Sequence, residues 1–229
     1  MFSIIVPLDP IRLKQFKTTK LRYDEFNQKK EFIIPTRYPK EVRKYLKDYK
    51  LDKNVKLVKY EITKGFNCSK ALNLGVKKAK YSTIIITSPE VLPLTNVLDQ
   101  FESLLGHNII AQVFDEDKYG DRSFSLVNKF FRSATPAMYF LAMFNKSDIE
   151  AINGWDEDFM NGYAYEDDDF GARWNRAGLP FEVVEEIQAV HQYHPRHETI
   201  AGGTDINHRH YLENSNNGVI RCANGLIKR

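Results

Sequence analysis

An α/β domain with a central, mostly parallel sheet flanked by helices is the fold class this 229-residue chain predicts, on three observations. Thr83-Ile84-Ile85-Ile86-Thr87 is a continuous apolar run, as in a strand covered on both faces. Short β-branched runs alternate with stretches of helical period, the pattern of strands joined by helical crossovers. A hydrophobic content of 42% with 13% aromatics supplies one sizeable core.

The elements follow in order. Phe2–Leu8 and Glu31–Thr36 are short, β-branched and bounded by proline, as buried strands are. Pro39–Lys50 reads as a basic helix with Val42, Tyr45 and Leu46 on one face, and Lys56–Ile62 alternates as a strand. Ser69–Lys80 is a helix whose apolar stripe is Cys68, Leu72, Val76 and Ala79. After Pro93 come a helix (Asn96–Leu105), a strand (Asn108–Phe114), a polar loop (Asp115–Ser125), a strand (Met138–Phe144) and a short helix (Lys146–Ile152). Glu166–Ala177 is a further helix, stopped by Gly178 with Pro180 just beyond. Phe181–Glu185 and Gln188–Val190 read as two short strands. Residues 197–229, rich in Gly, Asn and His, read as a C-terminal tail: a partly ordered loop, or a lid whose Asn207-His208-Arg209-His210 reaches back to the ligand.

Net charge is only +3, but it is unevenly spread. Residues 1–80 carry 21 basic and 8 acidic side chains, and residues 81–229 carry 12 and 22. A basic half attracts a phosphorylated ligand, an anionic acceptor or, peripherally, a membrane surface; it also fits solvated helix faces. No nucleic-acid-binding module is visible, and no apolar run is long enough to span a membrane. Met1-Phe2-Ser3-Ile4-Ile5-Val6-Pro7 has neither the basic start nor the cleavage site of a signal peptide and reads as a first strand. Two cysteines make no disulfide framework, so a reducing, cytoplasmic setting is the expectation.

Three motifs carry chemistry. Ser88-Pro89-Glu90 follows the central strand, and ligands of open α/β sheets bind at the carboxyl ends of strands. A carboxylate there suits a divalent cation on a diphosphate, although Pro89 among polar neighbours is also ordinary turn chemistry. Glu166-Asp167-Asp168-Asp169 opens a helix. Acids in a first turn suit the helix dipole, and Asp169 with Arg173 makes an i, i+4 ion pair, but four adjacent carboxylates exceed what a helix start needs. One of them is suited to remove a proton from an attacking hydroxyl. His191-Gln192-Tyr193-His194 offers two imidazoles three residues apart.

Taken together the motifs carry a resemblance. Phe66-Asn67-Cys68-Ser69-Lys70-Ala71-Leu72-Asn73-Leu74-Gly75 is similar to the Phe-Asn-Arg-Ala-Lys-Leu-Leu-Asn-Val-Gly segment of the β-1,4-galactosyltransferase family. Ser88-Pro89-Glu90-Val91-Leu92-Pro93 falls where that family has Asp-Val-Asp-Leu-Ile-Pro. Asn153-Gly154-Trp155 and Tyr165-Glu166-Asp167-Asp168-Asp169 resemble its Asn-Gly-Phe and Trp-Gly-Gly-Glu-Asp-Asp-Asp, and His191-Gln192-Tyr193-His194-Pro195-Arg196 its Met-Ile-Arg-His-Ser-Arg. The wider family-2-type transferases share the same Rossmann-like GT-A architecture.

The resemblance implies a GT-A domain over residues 1–196, with a nucleotide-binding half (1–93) and an acceptor and catalytic half (94–196). It implies an inverting transferase that moves a sugar from a UDP-sugar to a saccharide or glycolipid, as in polysaccharide synthesis. Pro7, Leu8, Phe66, Lys70, Asn73, Ser88 and Glu90 would contact the nucleotide-sugar. Glu90, His191 and His194 would hold the metal, Mn²⁺ (or Mg²⁺); nitrogen with oxygen ligands suits Mn²⁺ better than Ca²⁺. Asp167 would be the base, with Glu166 and Asp168 orienting the acceptor, and Trp155, Tyr163 and Tyr165 would bind the acceptor sugar. Cys68 stands in place of an arginine that touches the nucleotide, and Ser88 in place of an acid. Two other classes stay open on the residues alone: a metal-dependent hydrolase, and a degenerate nucleotide-sugar-binding protein without turnover.

Overall fold

The computed structural model describes residues 1–61, 68–122, 124–125, 140–161, 164–195 and 204–228, the side chains of residues 124, 125, 160 and 161 aside. Strands β1 (Phe2–Ile5), β2 (Lys30–Thr36), β3 (Val55–Lys59), β4 (Thr83–Thr87), β5 (Val91–Pro93), β6 (Ile109–Asp115), β7 (Phe124–Ser125), β8 (Leu141–Asn145) and β9 (Glu182–His191) form one sheet. Its order is β3-β2-β1-β4-β8-β6-β9-β5, with β7 paired to β6 off this path. β3, β2, β1 and β4 are parallel, as are β6 and β9. β8 runs antiparallel to β4 and β6, and β5 antiparallel to β9. The mostly parallel α/β sheet expected from the sequence is the one observed.

Alternation along each strand sorts the core into two layers. Ile4, Phe32, Ile85 and Met143 face one side, with Phe16, Val42, Leu46 and Phe101 from helices α1 (Leu13–Asp24), α2 (Pro39–Asp48) and α4 (Val97–Ser103). Ile5, Ile33, Ile84, Ile86 and Phe144 face the other, under α3 (Cys68–Lys78), α5 (Lys146–Ala151) and α6 (Glu166–Arg176). Helix α3 lies so close to β1 that a Cβ on Gly75 would fall 2.3 Å from Ile5 Cγ2. Trp155 stacks on Phe170 with ring centroids 4.1 Å apart, a contact that contributes about 1 kcal/mol beyond the burial of its area.

Several elements differ from the sequence reading, among them β7, which lies within the loop expected over Asp115–Ser125. Helix α1 is absent from that reading because two of its four buried positions, Thr19 and Lys20, are polar and break the apolar period; Lys20 is buried by its ion pair with Asp24. Strand β5 is three residues long and lies at the sheet edge, where Pro93 is tolerated. The two strands expected over 181–190 are one strand, β9, whose pairing with β6 jumps from Ala111↔Val184 to Gln112↔Gln188. The tail expected as a loop contains helix α7 (Asp205–Asn216), whose buried positions, Asn207 and Asn214, are polar and so leave no hydrophobic stripe to read. Beyond α7 the chain is tied to the domain: Leu226 and Ile227 donate their N–H groups to Asn153 O and Oδ1, each at 2.8 Å.

Candidate active site

The chain leaves β1 for β2 and β3 on one side, then returns through α3 to β4 on the other. The segments leaving β1 and β4 therefore lie side by side at the carboxyl edge, where such sheets bind ligands. After β1, Pro7 is partly exposed, while the Leu8 side chain is buried in the core and leaves only its backbone for a nucleotide. Asp9 pairs with Arg37 at 3.1 Å on the same edge. After β4, the Ser88 N–H reaches Phe140 O at 3.4 Å.

Glu90 follows, and strand β5 carries it to the histidines. Antiparallel pairing of β5 with β9 sets Val91 opposite His191, and the Gln192 N–H donates to Glu90 O at 2.9 Å. His191 Nε2 lies 3.5 Å and His194 Nε2 3.7 Å from Glu90 Oε1. The far nitrogen of each ring is engaged: His191 Nδ1 with Asp115 Oδ1 at 3.1 Å, His194 Nδ1 with Pro195 O at 3.0 Å. Orienting partners on the remote ring nitrogen are the outer shell that metal-binding histidines have. The ligand atoms of Glu90, His191 and His194 all lie within 4.8 Å of one another. Among the described residues, Glu90 Oε2 and His194 Nε2 are buried with no hydrogen-bond partner. A buried carboxylate oxygen and a buried imidazole nitrogen left without partners in one cluster fit a divalent cation with mixed oxygen and nitrogen ligands. Burial works against ionising Glu90, but His191, His194 and the Arg12 guanidinium outweigh it and hold its pKa down at about 2. The Glu90 contact raises the His194 pKa against the opposing effect of burial.

The acidic run opens α6 as expected. Asp168 is buried, and Glu166 and Asp167 are half-buried. Burial, with the adjacent Asp167 and Asp168, pushes the Glu166 carboxyl up to about 8. Asp169 is fully buried in its pair with Arg173, at 2.6 Å. Immediately before the run, Ala164 and Tyr165 both take left-handed backbone angles, φ 63° and 71°. Non-glycine residues held there cost about 1–3 kcal/mol each and persist only where other contacts fix them.

Cys68 joins the two clusters. Burial raises its thiol well above the ordinary range, and Glu166, Asp167 and Glu90 all raise it further, so the first residue of α3 lies within electrostatic reach of both carboxylate groups. Sequence reasoning read Cys68 as part of the α3 apolar stripe and as a lost arginine, and did not find Arg12, 3.9 Å from Glu90, or Asp115. Arg12 belongs to the unread approach to α1. Asp115 shows a recognisable role only once β6 and β9 are paired, Asp115 opposite His191.

Several expected contacts are placed elsewhere. Asn73 is fully buried: its Nδ2 donates to Trp155 O at 2.8 Å and Glu157 Oε1 at 3.1 Å, and its Oδ1 accepts from the Trp155 N–H at 3.0 Å. It clasps the Asn153-Gly154-Trp155 turn, and its side chain has nothing left for a nucleotide. Gly154 has φ +71° and its Cβ would meet Asn73 Oδ1 at 2.3 Å, so the glycine and the asparagine require each other. Trp155 is 1% exposed, so its ring belongs to the core and does not face an acceptor. Lys70 Nζ donates to Glu61 O at 2.6 Å. Tyr165 stacks on His208 at 4.8 Å. Phe66 and Tyr163 lie outside the described residues.

The second group of candidate ligands, Asp156, Asp158 and His210, is engaged in hydrogen bonds. His210 Nε2 and Asn214 Nδ2 meet Asp156 Oδ2 at 3.0 and 3.2 Å, and Asn224 Nδ2 meets both Asp158 oxygens at 2.9 Å. These bonds moor α7 to the domain through His210 and Asn214.

Comparisons with known proteins agree with this architecture. A family profile described as the N-terminal domain of galactosyltransferase matches residues 125–198, the stretch that holds the acidic run and both histidines. No curated protein sequence matches the chain. Among solved structures, a fragment of S. aureus TarS superposes with a TM-score of 0.63 at 11% identity, over 83% of this chain and 60% of that one. The same fragment in complex with UDP-GlcNAc gives 0.64 at 11% identity, over 86% and 59%. The mannosyltransferase PcManGT of Pyrobaculum calidifontis, in complex with GDP-Man and Mn²⁺, gives 0.59 at 16% identity, over 85% and 57%. The chain thus spans about three fifths of the length of these structures. Its fold is that of the GT-A-type nucleotide-sugar transferases, without being tied to a particular galactosyltransferase family. Among the described residues, no helix is long and apolar enough to cross a membrane.

Proposed function

We propose that the protein is an inverting, metal-dependent glycosyltransferase that moves a sugar from a UDP-sugar to a saccharide or glycolipid acceptor. The observation that carries this reading is the convergence of His191 and His194 Nε2 on Glu90 at the carboxyl edge of the sheet. Mn²⁺ or Mg²⁺ held by these three residues would offset the charge that builds on the departing diphosphate. The Arg12 guanidinium, 3.9 Å from Glu90, adds positive charge on the same side.

The chain's own groups perform the rest. The acceptor hydroxyl oxygen forms a bond to the anomeric carbon while the bond from that carbon to the diphosphate oxygen breaks. The electron pair leaves with the nucleoside diphosphate, and the hydroxyl proton passes to the Asp167 carboxylate. Protonated Glu166 donates a hydrogen bond to an acceptor oxygen, and Asp168 accepts one, so that the attacking hydroxyl faces Asp167.

The test is a thermal-shift panel of UDP, GDP, CMP and UDP- and GDP-sugars, each with Mn²⁺ and with EDTA. GDP-sugars are included because one structural relative carries GDP-Man. Ligand that binds only the folded state raises the midpoint. A UDP shift that disappears in EDTA, followed by UDP release and glycoside formation with simple sugar acceptors, is the expected result. Sugar-nucleotide cleavage that is unaffected by acceptor identifies a hydrolase, and binding with no turnover identifies a degenerate binder.

A further inference from the structure

We propose that Asn207 of helix α7 is a positioning residue: it holds the left-handed Ala164–Tyr165 turn that aims Glu166 and Asp167 at the acceptor. The claim about aim rests on the reading of Asp167 as the base. The claim about the turn does not.

Asn207 is 1% exposed. Its Nδ2 donates to Ala164 O at 2.7 Å and to Phe159 O at 3.1 Å, bridging both ends of the segment that leads into α6. The next residue, His208, stacks its ring on Tyr165 at 4.8 Å and 18°, and Tyr211 lies 5.7 Å from the same ring. A single stretch of α7 thereby grips both left-handed residues, one by its carbonyl and one by its ring. The turn then passes into the helix at once, the Asp169 N–H donating to Tyr165 O at 2.9 Å. Glu166 and Asp167 lie between these two anchors, so their direction is set by the turn.

Two consecutive non-glycine residues at positive φ do not hold that shape unaided; tertiary contacts must impose it. Among the described residues α7 contacts both positions, and α7 is itself fixed by Asn214 to Asp169 Oδ1 at 2.9 Å and by His210 to Asp156. A base displaced by about 1 Å loses about 100-fold in rate while donor contacts at the β1 and β4 edge are untouched.

The first experiment is hydrogen exchange by mass spectrometry on the full chain without ligand. Asn207→Ala is expected to speed exchange across 164–169 by about 10-fold or more while β1 and β4 keep their protection. Asn207→Asp keeps the shape but turns the donor into an acceptor facing two carbonyls, and is expected to do the same. It serves if the alanine variant fails to fold. Adding Ala164→Gly, which accepts positive φ without a Cβ, is expected to restore part of the protection. Unchanged exchange in a folded Asn207 variant overturns the clamp, and a double variant no better than the single one overturns turn strain as its cause.

The second experiment is nucleoside diphosphate release from the active sugar nucleotide with Mn²⁺. Asn207→Ala is expected to lower kcat about 100-fold with donor KM within about twofold, and Ala164→Gly to recover part of kcat. A folded variant with wild-type kcat overturns the positioning role. Wild-type protein inactive with every sugar nucleotide overturns the transferase reading, and the exchange result then decides the clamp by itself.

Discussion

Around Glu90 the backbone does the holding; around Asp167 side chains do. Glu90 and His191 are brought together by the β5–β9 ladder and by β9 lying beside β6, and His194 follows three residues beyond the end of β9. Glu166 and Asp167 follow a left-handed turn fixed by the amide of Asn207 and by rings on α7. A ladder distributes its constraint over many bonds, so one substitution rarely moves it. A side-chain clamp concentrates the constraint in two or three groups, so one substitution does. On the proposed function, a single substitution is therefore expected to disturb the Asp167 end more readily than the Glu90 end.

Substitutions at each end sharpen this contrast. Asp167→Asn is expected to lower transfer by about 10²–10⁴-fold with an unchanged thermal midpoint, because on the proposed mechanism it removes the proton acceptor and little packing; steady-state kinetics beside a melting curve checks both. Asp169→Ala attacks the support of the base end and leaves Arg173 buried without its partner, at a cost of about 3–5 kcal/mol in a denaturant titration. Gly154→Ala forces a Cβ into Asn73 Oδ1 and Leu226 Cγ at positive φ, and the expected loss is about 1–3 kcal/mol, not recovered by adding Asn73→Ala, which leaves the Leu226 contact and the backbone strain and removes three buried hydrogen bonds. Lys70→Ala, whose bond to Glu61 O is at the surface, is expected to shift stability by no more than about 0.5 kcal/mol.

The base end also depends on pH, with a sign that follows from Glu166. Its folded pKa of about 8 lies above that of an ordinary carboxyl, so the folded state gains from the proton. That contribution is complete below the ordinary carboxyl range and is lost as pH rises through about 8. Metal-free protein is expected to melt at a lower temperature at pH 9 than at pH 6. Glu166→Gln, neutral at both, is expected to reduce the difference. His210, whose pKa is raised by its bond to Asp156, and His194, raised by Glu90, add losses of the same sign, and His210→Gln and His194→Gln separate them from that of Glu166.

The legibility of the sequence followed the same division. The central strand, α3 and the acidic helix were readable because each states its period in apolar residues: Ile84 to Ile86, Leu72 and Val76, Phe170 and Trp174. The three candidate metal ligands were found by motif, and the structure brings their side chains together. Strand β5, which does the bringing, was unreadable because three residues ending in proline carry no periodic signal. Asn73 and Trp155 were misplaced for a different reason. A resemblance reports which residues recur and not which way they point, and both prove to be internal. Helix α7 was invisible because it binds the domain through Asn207, His210 and Asn214, residues whose composition is that of a loop.

One clasp has a consequence in time. Asn153 Nδ2 donates to Cys222 O and Ile227 O, and its own oxygens receive the N–H groups of Leu226 and Ile227. The turn carrying Gly154 and Trp155 is therefore finished by residues that leave the ribosome some seventy positions later. The parallel pairing of β1 to β4 needs none of these late residues, whereas the Gly154–Trp155 turn is held by them.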